Sequence, residues 1–552
     1  MNLPTHIQPK VRVPQDAQPI VEGAHVMPAE WRWVMMVGGL LVLLASVTVI
    51  IAALTVEPGY RFNGVLYNYL DGASYFSKMR LGADGELMVS FLHTPELHEG
   101  AFIQTLYPLL GYLSRITALP DVVLFHIMRA FAGLFMYAAL YQFGAMIWWR
   151  VSTRRIFFLF TAFGGGLGWL LAPLTGISDF PDFALLPEAY PFYSSLMNVH
   201  FPMTIGCLAL LSVLLLGTVR PESRRDPSLR RAWIPAGGLA AIICLLYPQG
   251  LVPLVAALAL SIGLTYLRDR RLPLPAVRCL LAILVVAVPY AGYVALAVSQ
   301  DAILREWNSQ NVTAAPPLFV FLAGFAILLL IGLPAMYRAL RRMEADGDRL
   351  MLLWLVMIVA AVYFPSNIQR RFAVGMVVPL GYFAVRAYAD VWMPRFRGQT
   401  RKLLTGVAIT GMALSPMLLM LVPALGLRAM PEESAGIILE SGYEDAFAWM
   451  AANGDRNDVV LAAPPVSAWI PAETGLRVVY GHPYETMDAA NRLPAVRAWY
   501  AAPDSVDCET LLTNNRVRFV VMGPQERLLG EAACTDSLRL EYNAQGVMVY
   551  GR

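Results

Sequence analysis

Long apolar stretches separated by short polar ones dominate the chain up to about residue 425. A helix that crosses a membrane needs about 20 mainly apolar residues. The candidate stretches are Trp33–Thr55, Val122–Trp149, Ile156–Leu174, Phe201–Val219, Trp233–Tyr247, Leu251–Leu267, Ala276–Val298, Leu318–Tyr337, Leu350–Phe364, Ala373–Met393 and Leu403–Leu425, with Phe102–Leu119 as a shorter, ambiguous one. The pattern predicts an α-helical polytopic membrane protein with roughly 11 to 13 transmembrane helices.

Arginines concentrate in alternate loops between these stretches. Their clusters lie at Arg150–Arg155, Arg220–Arg231, Arg268–Arg271, Arg338–Arg349 and Arg395–Lys402, whereas the intervening loops are acid-rich or neutral. Because cytoplasmic loops are enriched in Lys and Arg, the alternation predicts a cytoplasmic N-terminus and an extracytoplasmic C-terminal part. The number of crossings fits this orientation only if Phe102–Leu119 makes no independent crossing.

The composition supports a membrane protein. Hydrophobic residues make up 57% of the 552 residues, charged residues 15%, and the mean hydropathy is +0.54. Soluble domains average about 45–50% apolar and about 25% charged residues. The net charge of +3 gives no sign of a nucleic-acid partner. We therefore expect a multi-pass protein of the cell (inner or plasma) membrane with lipids as partners, and the oligomeric state stays open.

The two ends of the chain differ from its middle. Residues 1–30 are polar and proline-rich, which predicts a disordered cytoplasmic tail before a transmembrane domain over 31–426. From 427 to 552, strand-like segments alternate with helical ones, as at 458–463, 477–480 and 518–522, which predicts a small extracytoplasmic α/β domain. Cys508 and Cys534 both lie there, and a disulfide between them is one of two open alternatives.

The first predicted outer loop, 57–101, carries the strongest candidates for chemistry. Residues Tyr67–Gly82 have helical apolar spacing, typical of a helix at the membrane interface, with Asp71 and Lys78 together on another face. A carboxylate there would reach the head group of a lipid-borne substrate. His98 and Glu99 follow in the same loop as candidate substrate-binding residues. The alternative is a solvated acidic loop.

Arg370 and Arg371 lie at the predicted outer end of a helix, where positive charge opposes the topology rule. The planar guanidinium suits phosphate binding, and the alternative is ion pairing with the acidic outer loops. Trp307 is either a sugar-stacking residue or an ordinary interfacial anchor. His200 either contacts phosphate or metal, or is a hydrogen-bonded residue at a helix end. Gly164 and Gly168 fit close packing inside a hydrophobic helix.

The architecture resembles the GT-C integral membrane glycosyltransferases, in particular the protein-mannosyltransferase and aminoarabinose-transferase-like families. The resemblance rests on Asp71 in LYNYLDGASYFSKMRLGADGEL, on HTPELHEGAFIQTLYPLLGYL and on Arg129 in HIMRAFAGLF. It covers about residues 33–400 as architecture. The chain has Asp71-Gly where relatives have an Asp-Glu pair, and it has no clear Asp-x-Asp.

The resemblance implies a transferase that moves a sugar from a polyprenyl-phosphate donor to an acceptor on the extracytoplasmic face, with inversion. Asp71 would be the general base, and Arg370 and Arg371 would bind the donor phosphate in the same cavity. No residue is predicted as a metal ligand, although dependence on a divalent metal stays open. Two alternatives remain, a non-catalytic envelope scaffold and a lipid or solute transporter or flippase.

Overall fold

The computed structural model describes residues 26–220, 228–344, 347–429, 434–501, 507–530 and 533–552. Most of the predicted tail, residues 1–25, lies outside these ranges. Seven described helices are long and apolar enough to cross a membrane, or eight if Leu318–Gly324 and Ala326–Arg342, bent by 88°, form one span. The seven are Pro28–Thr55, Asp121–Ile147, Val151–Thr175, His200–Thr218, Pro248–Asp269, Leu274–Gln300 and Gly398–Leu427. The chain is a polytopic helical membrane protein.

Fewer helices pass this length criterion than the 11 to 13 spans expected from the sequence. Trp233–Leu246 and Gly347–Val362 are helices of only 14 and 16 residues. The stretch Phe102–Leu119 contains a helix of 12 residues, Leu106–Thr117. Apolar composition alone could not show where these helices stop.

The α-helices up to the C-terminal region follow in chain order: α1 (Pro28–Thr55), α2 (Tyr69–Ala83), α3 (Leu106–Thr117), α4 (Asp121–Ile147), α5 (Val151–Phe163), α6 (Gly168–Thr175), α7 (Pro191–Met197), α8 (His200–Thr218), α9 (Trp233–Leu246), α10 (Leu251–Asp269), α11 (Leu274–Gln300), α12 (Ala302–Gln310), α13 (Leu318–Gly324), α14 (Ala326–Arg342), α15 (Gly347–Val362), α16 (Val377–Ala387), α17 (Met393–Arg395) and α18 (Gly398–Ala429). Short 3-10 helices lie at Pro187–Ala189, Ser228–Arg231, Pro248–Gly250 and Gln369–Ala373.

The C-terminal region contributes shorter helices and most of the strands. Its helices are α19 (Gly442–Asn453), α20 (Pro464–Ser467), α21 (Ile470–Thr474), α22 (Ala489–Ala501), α23 (Cys508–Asn514) and α24 (Pro524–Arg527). The strands are β1 (Tyr60–Phe62), β2 (Ile438–Glu440), β3 (Val459–Leu461), β4 (Arg477–Val478), β5 (Val517–Met522), β6 (Arg539–Ala544) and β7 (Val547–Gly551). β2 pairs antiparallel with β1.

The described chain divides into two compact units. Unit one contains the described parts of Met1–Ser46, Ile127–Ala291 and Thr313–Met420, and unit two contains those of Val47–His126, Gly292–Val312 and Leu421–Arg552. The first outer loop and the predicted C-terminal domain therefore belong to one unit.

Unit one is a helical body whose helix ends carry buried ion pairs. Arg154 in the first turn of α5 contacts Glu30 in the first turn of α1 at 2.9 Å. Arg386 near the end of α16 lies 3.0 Å from Asp348 at the start of α15. Because an unpaired buried charge is costly, these pairs allow charged residues to lie inside the helical packing.

One predicted helix in unit one is broken. The glycines from Gly164 to Gly168 were expected to lie inside a continuous helix, but α5 ends at Phe163 and α6 begins at Gly168. A Cβ on Gly165 would lie 2.3 Å from the Met412 carbonyl oxygen. A side chain at this turn would therefore displace packed backbone. The close packing expected at these glycines is found, but their placement inside a continuous helix is wrong.

Unit two is built on a five-stranded sheet with the order β4-β3-β5-β7-β6. β3 is parallel to β4 and β5, whereas β7 is antiparallel to β5 and β6. Trp499, Tyr500 and Val520 are among its buried core residues. Cys508 and Cys534 form a disulfide, which decides between the two alternatives left by the sequence. The sequence prediction of a small C-terminal α/β fold is confirmed.

The first outer loop packs on this sheet. The Val478 N–H of β4 donates to the Leu92 carbonyl at 3.1 Å, and Arg477 Nη1 donates to the Phe91 carbonyl at 2.9 Å. α2 also packs closely on α3 at Gly111, where a Cβ atom would lie only 1.7 Å from the Met79 carbonyl oxygen. These contacts fix α2, and with it Asp71, within unit two.

Candidate active site

Asp71 lies in the first turn of α2, where Asn68 caps the helix. Asn68 has a φ of 46°, a left-handed conformation that asparagine tolerates better than most residues. Its Oδ1 accepts the Asp71 N–H at 3.4 Å, and its Nδ2 donates to Asp71 Oδ2 at 2.6 Å. The Asp71 side chain is still 43% exposed. The carboxylate is therefore oriented by the cap and remains accessible.

His482 provides a second contact to this carboxylate. Its Nε2 lies 3.7 Å from Asp71 Oδ1, and the imidazole is buried. Its Nδ1 accepts the backbone N–H groups of Tyr484 at 3.1 Å and of Glu485 at 3.3 Å. Because Nδ1 is an acceptor, the neutral ring carries its proton on Nε2, the nitrogen that faces Asp71.

A buried ionic cluster lies one to two helical turns further along α2. Lys78 Nζ contacts Glu485 Oε1 at 2.6 Å, and the two side chains are 2% and 5% exposed. The Ser74 hydroxyl donates to the same oxygen at 2.7 Å, and His93 Nδ1 lies 3.1 Å from Oε2. The Lys78 ammonium is thus engaged inside the protein, and its predicted role in substrate binding stays a prediction.

The charges around Glu485 keep it ionised. Burial alone raises the pKa of Glu485, but the charge of Lys78, a hydrogen bond from His93 and the neighbouring His482 hold that pKa well below its usual range. Burial lowers the pKa of His93, although Glu485 opposes the shift. The cluster therefore holds an ion pair at neutral pH that ties α2 to the segment 482–485.

α12 contributes Trp307 and a fixed glutamine. Gln310 Nε2 donates to the Thr486 carbonyl at 2.9 Å, and its Oε1 accepts the Ala489 N–H at 3.2 Å. The Trp307 ring packs against Phe91 with centroids 5.6 Å apart. α12 thereby supports the segment after Glu485, and a sugar-stacking role for Trp307 stays a prediction.

His98 and Glu99 line an open groove of about 670 Å³ in unit two. His98 Nε2 accepts the Phe91 N–H at 2.8 Å, and its Nδ1 lies 3.4 Å from Asp301 Oδ2. Burial lowers the pKa of His98, with Asp301 opposing that shift. The groove also presents the Arg456–Glu86 ion pair. Its donors and acceptors suit a hydroxyl-rich ligand.

In unit one, Arg370 and Arg371 lie on the short helix Gln369–Ala373. The Arg370 N–H donates to the Thr313 carbonyl at 3.1 Å, which anchors this segment. Burial raises the pKa of Glu188 above its usual value, while both arginines counteract the rise. Both guanidinium groups are therefore close enough to act electrostatically on the Glu188 carboxyl group.

His200, the first residue of α8, lies in the same region of unit one. Its ring stacks on Tyr247 with centroids 5.9 Å apart, and the Tyr247 hydroxyl lies 3.5 Å from Glu188 Oε1. Arg370 and Arg371 therefore act on the Glu188 carboxyl group, and His200 packs on Tyr247, which contacts it. That Asp71 and the arginines share one cavity stays a prediction.

Asp182 is a buried carboxylate that binds the glycine turn of unit one. Its Oδ2 accepts the N–H groups of Gly166 at 2.9 Å and Gly168 at 3.1 Å, and the Ser415 hydroxyl at 2.6 Å. Burial outweighs these hydrogen bonds and raises the pKa of Asp182 to about 6. The glycine turn thus binds an internal carboxylate.

We expect Asp182→Asn to remove a pH dependence of stability. The folded pKa lies above the unfolded value of about 3.9, so the contribution of Asp182 is greatest below pH 4 and is lost as the pH rises through about 6. Asparagine retains an oxygen acceptor for the glycines. Thermal unfolding in detergent between pH 4 and 8 should therefore show a flatter profile for the variant. An identical profile in both forms would contradict the prediction.

Neither a protein-family model nor a curated protein matches the sequence. Solved structures do match. The Archaeoglobus fulgidus oligosaccharyltransferase is 12% identical with a TM-score of 0.51, over 94% of this chain and 74% of that one. ArnT from Cupriavidus metallidurans, bound to undecaprenyl phosphate, is 14% identical with a TM-score of 0.52, over 93% and 98%. Arabinofuranosyltransferase AftD from Mycobacteria is 13% identical with a TM-score of 0.51, over 97% and 40%. The chain has the GT-C fold.

Within this GT-C fold, several side chains at the site were assigned no role by sequence reasoning. His482 and Glu485 lie in the motif GHPYET, whose ionisable residues stand out but whose function the sequence left open. Glu188 and Tyr247 lie in different loops of unit one and carry no local signal that links them.

The described part of the chain provides no group of three or more His, Cys, Asp or Glu side chains that could hold a metal ion.

Proposed function

We propose that the chain is a membrane glycosyltransferase that moves a sugar from a polyprenyl-phosphate donor to an acceptor hydroxyl on the extracytoplasmic face. The likeness to ArnT bound to undecaprenyl phosphate and to archaeal AglB in complex with a dolichol-phosphate supports a lipid-phosphate donor. The observation that carries the proposal is the Asp71 carboxylate, which is oriented by Asn68 and His482 yet exposed.

Asp71 acts as the general base. The acceptor oxygen attacks the anomeric carbon while Asp71 takes the hydroxyl proton, and the bond from that carbon to the phosphate oxygen breaks. The phosphate leaves with the electron pair, so a single displacement inverts the anomeric centre. The Nε2–H of His482 faces the same carboxylate from 3.7 Å.

Arg370 and Arg371 bind the donor phosphate and stabilise the charge that develops on it as it leaves. The planar guanidinium group binds phosphate through two parallel hydrogen bonds, and stabilisation of such charge can contribute several kcal/mol in a water-poor site. His200 supports the same phosphate. Because the polyprenyl tail is held by the membrane, one reactant is already confined to the plane of the site.

His98, Glu99 and Trp307 bind the sugar or the acceptor. His98 and Glu99 line the polar groove of unit two, where carboxylate, imidazole and guanidinium groups hydrogen-bond hydroxyls. Trp307 offers an aromatic face beside Phe91. Lys78 contributes by fixing α2 through Glu485.

The donor assignment is tested by binding of radiolabelled polyprenyl phosphate to the full chain in nanodiscs. We expect wild type to prefer polyprenyl phosphate over polyprenol. We expect Arg370→Gln/Arg371→Gln to weaken phosphate binding by at least about 100-fold, since hydrogen bonds to charged groups contribute about 1.5–3 kcal/mol each and a tenfold change corresponds to about 1.4 kcal/mol. Arg305→Gln, an exposed arginine that donates to the Ser299 carbonyl, serves as the control. Equal affinity of wild type for polyprenol and its phosphate would overturn the assignment.

A further inference from the structure

An arginine-lined pocket lies in unit one where α10 ends and α11 begins. It has a volume of about 570 Å³ and contains four arginines, Arg230, Arg270, Arg271 and Arg278. Arg270 and Arg271 lie in the turn between the two helices, Arg278 lies in the first turns of α11, and Arg230 comes from the short helix Ser228–Arg231. Residues distant in sequence thus direct positive charge into one concavity.

Three other arginines of unit one are paired with carboxylates. Arg154, Arg338 and Arg386 each contact a carboxylate within 4 Å. No ion pair with an aspartate or glutamate of the described residues includes an arginine of the pocket. Four like charges around one hollow repel one another. An anion bound in the pocket would relieve this repulsion.

The rim of the pocket is apolar and exposed. Tyr266, Leu272 and Leu274 line it, and each exposes more than a third of its surface. α10 and α11 belong to two helices that are long and apolar enough to cross a membrane, so their connection lies at a membrane surface. A ligand that satisfies both parts of the pocket has a phosphate head and an apolar body.

The pocket is distinct from the Glu188 region of unit one. The short helix Pro248–Gly250 at the beginning of α10 packs near the segment of Arg370 and Arg371, since a Cβ on Gly250 would lie 2.9 Å from Val374. The pocket lies at the other end of α10, which has 19 residues and spans about 28 Å at 1.5 Å per residue. The two sites therefore lie at opposite ends of one membrane helix.

We propose that this pocket binds the phosphate head group of an anionic phospholipid at the membrane surface predicted to be cytoplasmic. Basic pockets between transmembrane helices bind multiply charged lipid head groups. Four guanidinium groups match a lipid with two phosphates, and the exposed leucines contact its acyl chains. The bound lipid neutralises the positive charge of the turn between α10 and α11 and contacts both helices at that end.

The test uses native mass spectrometry of the purified full chain titrated with cardiolipin, a phospholipid with two phosphates, and with phosphatidylcholine, which has no net charge. We expect one cardiolipin to bind at least tenfold more tightly than phosphatidylcholine. In Arg270→Gln/Arg271→Gln/Arg278→Gln we expect a loss of about 100-fold in cardiolipin affinity, because each basic side chain near a membrane surface contributes about 1 kcal/mol and a tenfold change corresponds to about 1.4 kcal/mol.

Arg341→Gln/Arg342→Gln is the matched control. These two arginines end α14 and lie outside the pocket, so cardiolipin affinity should stay within about twofold of wild type. Equal loss in the control and the pocket variant would show that general surface charge is responsible, and it would overturn the proposal. Displacement of cardiolipin by millimolar inorganic phosphate would show that the pocket takes a free phosphate, and it would overturn the assignment to a lipid.

Discussion

Replacing Lys78 by methionine is expected to destabilise the protein by about 3–5 kcal/mol at pH 8, since removal of one partner leaves the buried Glu485 carboxylate without its cation. The contact of 2.6 Å joins two side chains that water scarcely reaches. Methionine retains most of the volume of the lysine stem, so the loss reports the charge more than a cavity. The measurement is thermal unfolding of the full chain in detergent, compared with wild type at each pH.

The pH dependence separates the charge effect from a packing effect. Without Lys78, burial raises the pKa of Glu485 relative to wild type. A raised folded pKa gives stability that is present at low pH and lost as the pH rises through it. The variant should therefore be closer to wild type at pH 5 than at pH 8, and Lys78→Met/Glu485→Gln should recover most of the loss.

Arg80→Gln is the matched control on the same helix. Arg80 and Asp84 form an ion pair of 3.4 Å in which both side chains are more than a third exposed. Exposed pairs contribute about 0–1 kcal/mol, so this variant should stay near wild type. A loss as large as that of Lys78→Met would mean that any charge change on α2 destabilises it, and the role given to Glu485 would be wrong.

Local spacing in the sequence predicted α2 well. The expected helix Tyr67–Gly82 is found as Tyr69–Ala83. The spacing placed Asp71 and Lys78 on one face, and in the structure both contact the segment His482–Glu485. A helical period fixes which side chains share a face. It carries no information on what that face contacts.

Local sequence patterns could not identify the residues that this face of α2 contacts. Lys78 and Glu485 are 407 residues apart in the chain. Nothing near either residue indicates the other, because the pairing follows from how the first outer loop packs on β4. The same holds for Glu188, whose arginine neighbours come from a different loop. Single-sequence patterns describe elements, whereas the site is made by contacts between elements.

The sequence pattern also failed to predict where a hydrophobic helix breaks. Leu318–Tyr337 was predicted as one span, but it bends by 88° between α13 and α14. The bend occurs at Phe325, an apolar residue that interrupts no hydrophobic pattern. Hydropathy averages over about 19 residues, so it detects the apolar stretch and not the bend.

Asp71→Asn is expected to lower sugar transfer by about 10²–10⁴-fold, the contribution typical of a general base. Asparagine has nearly the same shape and leaves α2 and its cap in place, but it cannot take the acceptor proton. The measurement uses membranes that contain the full chain and a polyprenyl-phosphate donor with a radiolabelled sugar. The rate of transfer is the rate at which the radiolabelled sugar is lost from the donor. Because the phosphate is bound by the arginines and not by this side chain, donor binding measured separately should change little.

Asp84→Asn is the matched control, because Asp84 caps the other end of α2 and forms an exposed ion pair with Arg80. It should transfer sugar at a rate within about twofold of wild type. If Asp71→Asn also transfers at the wild-type rate while the wild-type chain is active, the carboxylate is not the base. Arg370 and Arg371 would then bind the phosphate in a reaction that needs no general base. An acceptor that is already ionised when it binds would react in this way.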